Sequence, residues 1–173
     1  VPNLTFGASV NSIIHSGATP VLIDVDLDSW NISPELIRAA ITPKTKAIMP
    51  VHIYGNPCDM DGIMKIAKEY DLKVVEDCAE ALGSEINGQP VGSFGHAAAF
   101  SFFANKVITC GEGGAVIFKE KSAYQKAILL RDHGMSKNKR YWHEEVGYNY
   151  RLTNIQAAIG CAQLEQFSSF KDK

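Results

Sequence analysis

Ala97-Ala98-Ala99-Phe100-Ser101-Phe102-Phe103-Ala104-Asn105-Lys106 is an apolar run that ends on an amide and a cation. Residues 97–103 carry no charge and do not alternate, the pattern of a strand covered on both faces. Four further runs, 21–25, 47–51, 74–75 with its flanks and 115–118, read the same way and are rich in Val, Ile and Phe. Between most of them lie segments with helical spacing. Ser33-Pro34-Glu35 opens one, with Ser33 as N-cap and Pro34 in the first turn. Its apolar positions Leu36, Ile37, Ala40 and Ile41 share a face. Asp59 caps a second, with Ile63, Ile66 and Ala67 as its stripe. Helices are also predicted over 122–133 and 153–167, the latter with Ile155, Ala158, Ile159, Ala162 and Leu164 inward, and more weakly over 5–15. Alternating strand and helix predict an α/β fold: three layers, α/β/α, around a mainly parallel central sheet. Asn87-Gly88 marks a tight hairpin turn, and 137–145 reads as an exposed loop.

The chain has 173 residues with 17 Lys plus Arg against 19 Asp plus Glu, a net charge of -2. That balance lacks the basic footprint of a nucleic-acid binder, so no nucleic acid is expected as partner. No apolar run reaches the roughly 18 residues of a membrane span, so no membrane partner is expected either. Four scattered cysteines, Cys58, Cys78, Cys110 and Cys161, without a CxxC pair, fit reduced thiols and a cytoplasmic setting better than disulfides or zinc. The first residue is Val1 rather than Met, and the sequence is read as a portion of a longer chain.

In open parallel sheets ligands bind beyond the carboxyl ends of the strands. That rule selects His52 and Tyr54, Glu76 and Asp77, and Ser101, Asn105 and Lys106. Asp77, at the end of an apolar strand, either caps a helix starting at Cys78 or pairs with a buried cation, such as a protonated ring nitrogen. Lys106 either turns to solvent or sits where poor solvation makes its amine nucleophilic. A lysine nucleophile together with a carboxylate for a pyridinium nitrogen is the pair that pyridoxal phosphate chemistry requires, although other sites use the same pair. No P-loop, GxGxxG, HExxH or GxSxG is present. His52, His96 and His133 lack ligand spacing, and no metal is expected.

Seven segments carry a family resemblance: 17–26, 42–48, 50–55, 76–83, 100–106, 111–114 and 147–154. They include Pro50-Val51-His52-Ile53-Tyr54-Gly55, Glu76-Asp77-Cys78-Ala79-Glu80-Ala81 and Phe100-Ser101-Phe102-Phe103-Ala104-Asn105-Lys106. In this order they resemble the DegT/DnrJ/EryC1/StrS family of sugar aminotransferases, of the aspartate aminotransferase fold type, over essentially all 173 residues. The resemblance implies pyridoxal 5'-phosphate as cofactor, with Lys106 as the Schiff-base lysine and Asp77 facing the pyridine nitrogen. It further implies Ser101 at the phosphate, Glu80 near the ring hydroxyl, and Phe6 stacked on the ring unless it is a plain core aromatic. Asn149 corresponds to a residue that reaches the neighbouring subunit's phosphate, which implies a homodimer with shared sites. His52 and Arg151 are weaker expectations for substrate contact.

The implied reaction is transfer of an amino group from glutamate to a nucleotide-linked 4-keto-6-deoxy sugar. Segment 102–114 is most similar to perosamine-type members, which implies GDP-4-keto-6-deoxymannose and O-antigen or related polysaccharide synthesis, with UDP- and dTDP-sugars left open. The alternative is a non-catalytic regulatory or sensor relative that keeps the fold. Residues 1–173 are expected to be the central part of the large cofactor domain, without its N-terminal segment and without the C-terminal small domain.

Overall fold

In the computed structural model, which describes residues 1–171, helices α1 (Gly7–His15) and α2 (Pro34–Ala40) precede strand β1 (Ala47–Ile48). Then follow α3 (Met60–Glu69), β2 (Lys73–Asp77), the hairpin strands β3 (Glu85–Ile86) and β4 (Gln89–Pro90), β5 (Ala97–Ser101) and β6 (Gly114–Phe118). Three helices close the described chain: α4 (Lys121–Arg131), α5 (Asn154–Glu165) and α6 (Phe167–Lys171). The central sheet has the order β1-β2-β5-β6. β1, β2 and β5 are parallel, and β6 runs antiparallel to β5. This is the mainly parallel sheet with flanking helices that the alternating pattern predicts.

The core forms where α2 and α3 cover one face of the sheet. Ile37 from α2 and Met60, Ile63, Ile66 and Ala67 from α3 are buried against Ile48 and Val74. α3 starts where it does because the Asp59 carboxylate accepts the Gly62 N–H at 2.9 Å, an N-cap that satisfies one of the otherwise unpaired first-turn amides. Each large aliphatic side chain removed from water there stabilises the fold by about 1.5–3 kcal/mol. The Asn87-Gly88 turn also forms: both residues have positive φ, 52° and 79°, as a two-residue type I′ hairpin requires.

Four expectations are corrected. Residues 21–25 form no strand of the sheet; Ile23 bridges Pro2 and Val25 bridges Ile32, while Val21 and Leu22 are exposed. Residues 115–118 do form a strand, but at the sheet edge, with Val116 and Ile117 exposed rather than covered on both faces. No helix begins at Cys78; the chain turns there instead. α5 exposes the apolar stripe expected inward, with Ile155 77% exposed. It docks through the opposite stripe. Gln156 donates to Glu112 O, Gly160 lies against the Cys110 sulfur, and Gln163 accepts the Thr109 N–H. The residue without a side chain in that stripe lets the helix approach the loop closely.

Candidate active site

Parallel pairing brings the carboxyl ends of β1, β2 and β5 to one edge. Val51 bridges Asp77, and Asp77 pairs with Ala99, two residues before Ser101. The Asp77 backbone is held on both sides: its N–H donates to Pro50 O at 2.9 Å, and its C=O accepts the His52 N–H at 3.1 Å. Its side chain is aimed as well. Oδ1 accepts the Ala79 N–H at 3.1 Å, and Oδ2 accepts the buried Ser9 hydroxyl at 2.7 Å. A carboxylate fixed by two donors cannot rotate freely, so its remaining lone pairs point in defined directions.

Beyond β5 the chain folds back on itself, with the Lys106 N–H donating to Phe103 O at 3.1 Å. The Lys106 side chain is 19% exposed and its Nζ lies 3.6 Å from Glu80 Oε1, a carboxylate 33% exposed. Glu80 is itself positioned, because its Oε2 accepts the Tyr54 N–H at 2.9 Å. Tyr54 has a left-handed φ of 51°, unusual for a bulky residue, in the turn that carries this amide. The Ser101 oxygen accepts the Phe103 N–H at 3.2 Å, which leaves its own proton to donate. Tyr54 and Glu80, together with Leu82, Ser84, Val107 and Phe170, line an open cavity of about 600 Å³ whose lining does not include Lys106, Asp77 or Ser101.

Behind the edge lies a second carboxylate, Glu76, which is buried together with His52. Burial acts to raise the Glu76 pKa. The hydrogen bond from His52 and those from the Gly95 and Gly92 amides outweigh it, so the group is held below the usual carboxylate range. Cys58 and Cys78 nearby are buried thiols; burial pushes Cys58 up to about 12 and Cys78 well up, so both stay protonated and unreactive.

The structure therefore brings Lys106, Glu80, Asp77 and Ser101 to one sheet edge. Phe6 stands at the start of α1, its C=O accepting the Ser9 N–H at 3.1 Å. Its ring is 80% exposed, so it is not a core aromatic and has a face free for stacking. His52 is a correction. Both its ring nitrogens are used inside the protein and it is fully buried, so it has no surface to offer a substrate. Asn149 and Arg151 sit on an exposed segment opposite Asp132, where Arg151 pairs with that carboxylate at 3.5 Å. Neither hydrogen-bonds to the Lys106–Glu80–Asp77 group among the described residues. Ser9 is the site residue that the sequence reading misses; Tyr54, selected by its place after β1, acts through its backbone amide.

This donor set suits pyridoxal phosphate: an amine shielded from bulk water, an oriented carboxylate for a ring nitrogen, a free hydroxyl proton for a phosphate, and an open aromatic face. GDP-perosamine synthase of Escherichia coli O157:H7 is 52% identical over 170 residues, covering 98% of this chain and 47% of the relative. GDP-perosamine synthase of Caulobacter vibrioides is 54% identical over 166 residues, covering 96% of this chain and 45% of the relative. The chain thus spans about half the length of the curated relatives it matches. The crystal structure of an aminotransferase from Psychrobacter cryohalolentis superposes with a TM-score of 0.91 at 43% identity, covering 98% of this chain and 46% of that one. With a family model matched from residue 1 to residue 173, the chain belongs to the DegT/DnrJ/EryC1/StrS aminotransferase family.

Proposed function

We propose that the full-length protein is a pyridoxal phosphate-dependent aminotransferase. It would move an amino group from glutamate to a nucleotide-linked 4-keto-6-deoxy sugar, GDP-4-keto-6-deoxymannose before others, for O-antigen or related polysaccharide. The observation that carries this reading is the largely shielded Lys106 amine beside Glu80, at the sheet edge where Ser9 holds the Asp77 carboxylate. Its similarity to two GDP-perosamine synthases supports the choice of sugar and nucleotide.

Bound pyridoxal phosphate supplies the electron sink for a carbanion formed on the amino donor. The chain's residues do the rest. Lys106 would hold the cofactor, and its amine would be the group that takes up and gives back the proton of the donor carbon. Asp77 would keep the ring nitrogen protonated, with the Ser9 hydrogen bond holding its carboxylate in place. Glu80 would set the position of the Lys106 amine, Ser101 would donate to the phosphate, and Phe6 would cover one ring face.

The described segment acts in this reading as the central part of the large cofactor domain. Asn149, exposed and away from the Lys106 group, fits a role toward the site of a partner subunit in a cytoplasmic homodimer. The test is full-length protein with pyridoxal phosphate, glutamate and each keto sugar, following the cofactor spectrum and the amino-sugar product. Glutamate should convert the cofactor to its amine form, and Lys106→Ala should abolish turnover. Retained turnover in that variant overturns the mechanism. A cofactor spectrum that ignores glutamate favours the regulatory alternative.

A further inference from the structure

We infer that the buried His52–Glu76 pair is a positioning device that sets the geometry of the Asp77–Glu80–Lys106 edge. The hydrogen-bond accounting around it is complete. Glu76 Oε1 accepts the N–H groups of Phe94 at 2.9 Å and Gly95 at 2.5 Å. Oε2 accepts the Gly92 N–H at 2.7 Å and faces His52 Nε2 at 3.2 Å. His52 Nδ1 is 3.0 Å from the Cys58 amide nitrogen, whose N–H it accepts. A ring nitrogen that accepts a proton donor carries no proton itself, so His52 is the neutral tautomer with its hydrogen on Nε2, donated to an ionised Glu76.

The ligand atoms of His52, Glu76 and Cys78 lie within 4.8 Å of one another, close enough to suggest a metal. The lone pairs argue otherwise. Each Glu76 oxygen already takes two donors and the free His52 lone pair is occupied, so a cation would have to displace several internal hydrogen bonds.

What the pair connects is the active edge. The backbone N–H of His52 donates to Asp77 O, so this residue grips Glu76 through its ring and Asp77 through its main chain. Two residues on, the Tyr54 amide holds Glu80, which faces Lys106. On the other side, Glu76 gathers the 92–95 loop that feeds β5, the strand ending in Ser101. Gly95 shows how tightly: a Cβ there would lie 2.8 Å from Val74 O and 3.2 Å from Glu76 Oε1. One carboxylate and one imidazole therefore fix the relative positions of the three chain ends that carry the proposed chemistry. A misplacement of about 1 Å in such groups is enough to cost orders of magnitude in rate.

The inference rests on the proposed cofactor chemistry, and its test separates the two. In full-length protein without cofactor, long-range proton–nitrogen spectra should show His52 neutral and protonated on Nε2; a proton on Nδ1 overturns the pairing, whatever the enzyme does. His52→Leu removes both ring hydrogen bonds, whereas His52→Gln keeps one donor and one acceptor. Among folded molecules, verified by near-ultraviolet dichroism, His52→Leu should bind pyridoxal phosphate about tenfold or more weakly and lose kcat with little change in KM. His52→Gln should recover most of both. Wild-type affinity and kcat in His52→Leu, or a His52→Gln variant as weak as His52→Leu, overturns the positioning role. A wild-type protein that fails to bind the cofactor overturns the proposed function instead. If His52→Leu does not fold, the tautomer spectrum and the Gln variant still decide.

Discussion

Replacing Ser9 by alanine removes the hydroxyl that donates to Asp77 Oδ2 at 2.7 Å, leaving the Ala79 N–H on Oδ1 as the side chain's remaining partner among the described residues. A hydrogen bond to a charged acceptor contributes about 1.5–3 kcal/mol. Asp77 is half-buried, so water replaces part of what is lost and the lower end of that range applies. If the bond serves to aim the carboxylate, about 1.5 kcal/mol reappears as roughly tenfold in the rate of amino transfer from glutamate. Single-turnover conversion of the cofactor to its amine form, followed by absorbance in the full-length protein, reads that rate directly. Ser12→Ala is the matched control. Ser12 lies on the same helix but donates to Ser9 O rather than to Asp77, so its replacement should leave the helix intact and the reaction rate unchanged. An unchanged rate in Ser9→Ala, or an equal loss in Ser12→Ala, refutes the claim that α1 acts on the site through this bond.

Glu80→Gln keeps an acceptor for the Tyr54 amide but removes the charge facing Lys106; both side chains retain contact with solvent, so denaturant titration should show a stability change below about 1 kcal/mol. Gly88→Ala tests the hairpin turn. Its φ is +79° and an added Cβ would meet nothing within 4 Å, so the cost of about 1 kcal/mol in chemical denaturation is conformational alone. Glu76 predicts an acid limb. Its folded pKa lies below the unfolded value near 4.3, so its contribution is fully present above that value and fades as pH falls through the lower folded one. Glu76→Gln should be less stable than wild type at pH 7, and the gap should narrow when denaturation is repeated near pH 3; a gap that stays constant removes the charged pairing.

Much of the fold could be read from local pattern, because the features involved are local. Ser33-Pro34 and Asp59 start helices through bonds that span three residues, and Asn87-Gly88 turns a hairpin through two φ angles. Lys106 and Asp77 could be found because the carboxyl-edge rule needs only strand positions. Ser9 could not, since its partner lies 68 residues away and a serine on an exposed-looking helix carries no sign of it. The helix at 154–165 fails for a related reason. Its sequence offers two stripes, one aliphatic and one of Gln156, Gly160 and Gln163, and periodicity alone does not say which meets the protein. The loop at 109–112 selects the second by supplying polar backbone groups for it.

Glu76 is the instructive case, because its signal was present. Strand β2 alternates, with Val74 and Glu76 buried on one face and Val75 and Asp77 half-buried on the other. A carboxylate in register with a buried valine on a central strand must find donors inside the protein, since burying it unpaired would cost several kcal/mol. Sequence supplies candidates of the right kind: a loop with two glycines at 92–95, whose unobstructed amides can crowd around one oxygen pair, and a histidine closing the neighbouring strand. Read that way, His52 belongs with Glu76 behind the site from the outset. Histidine suits that place because one neutral ring can donate to a buried acid and accept from a backbone amide at the same time.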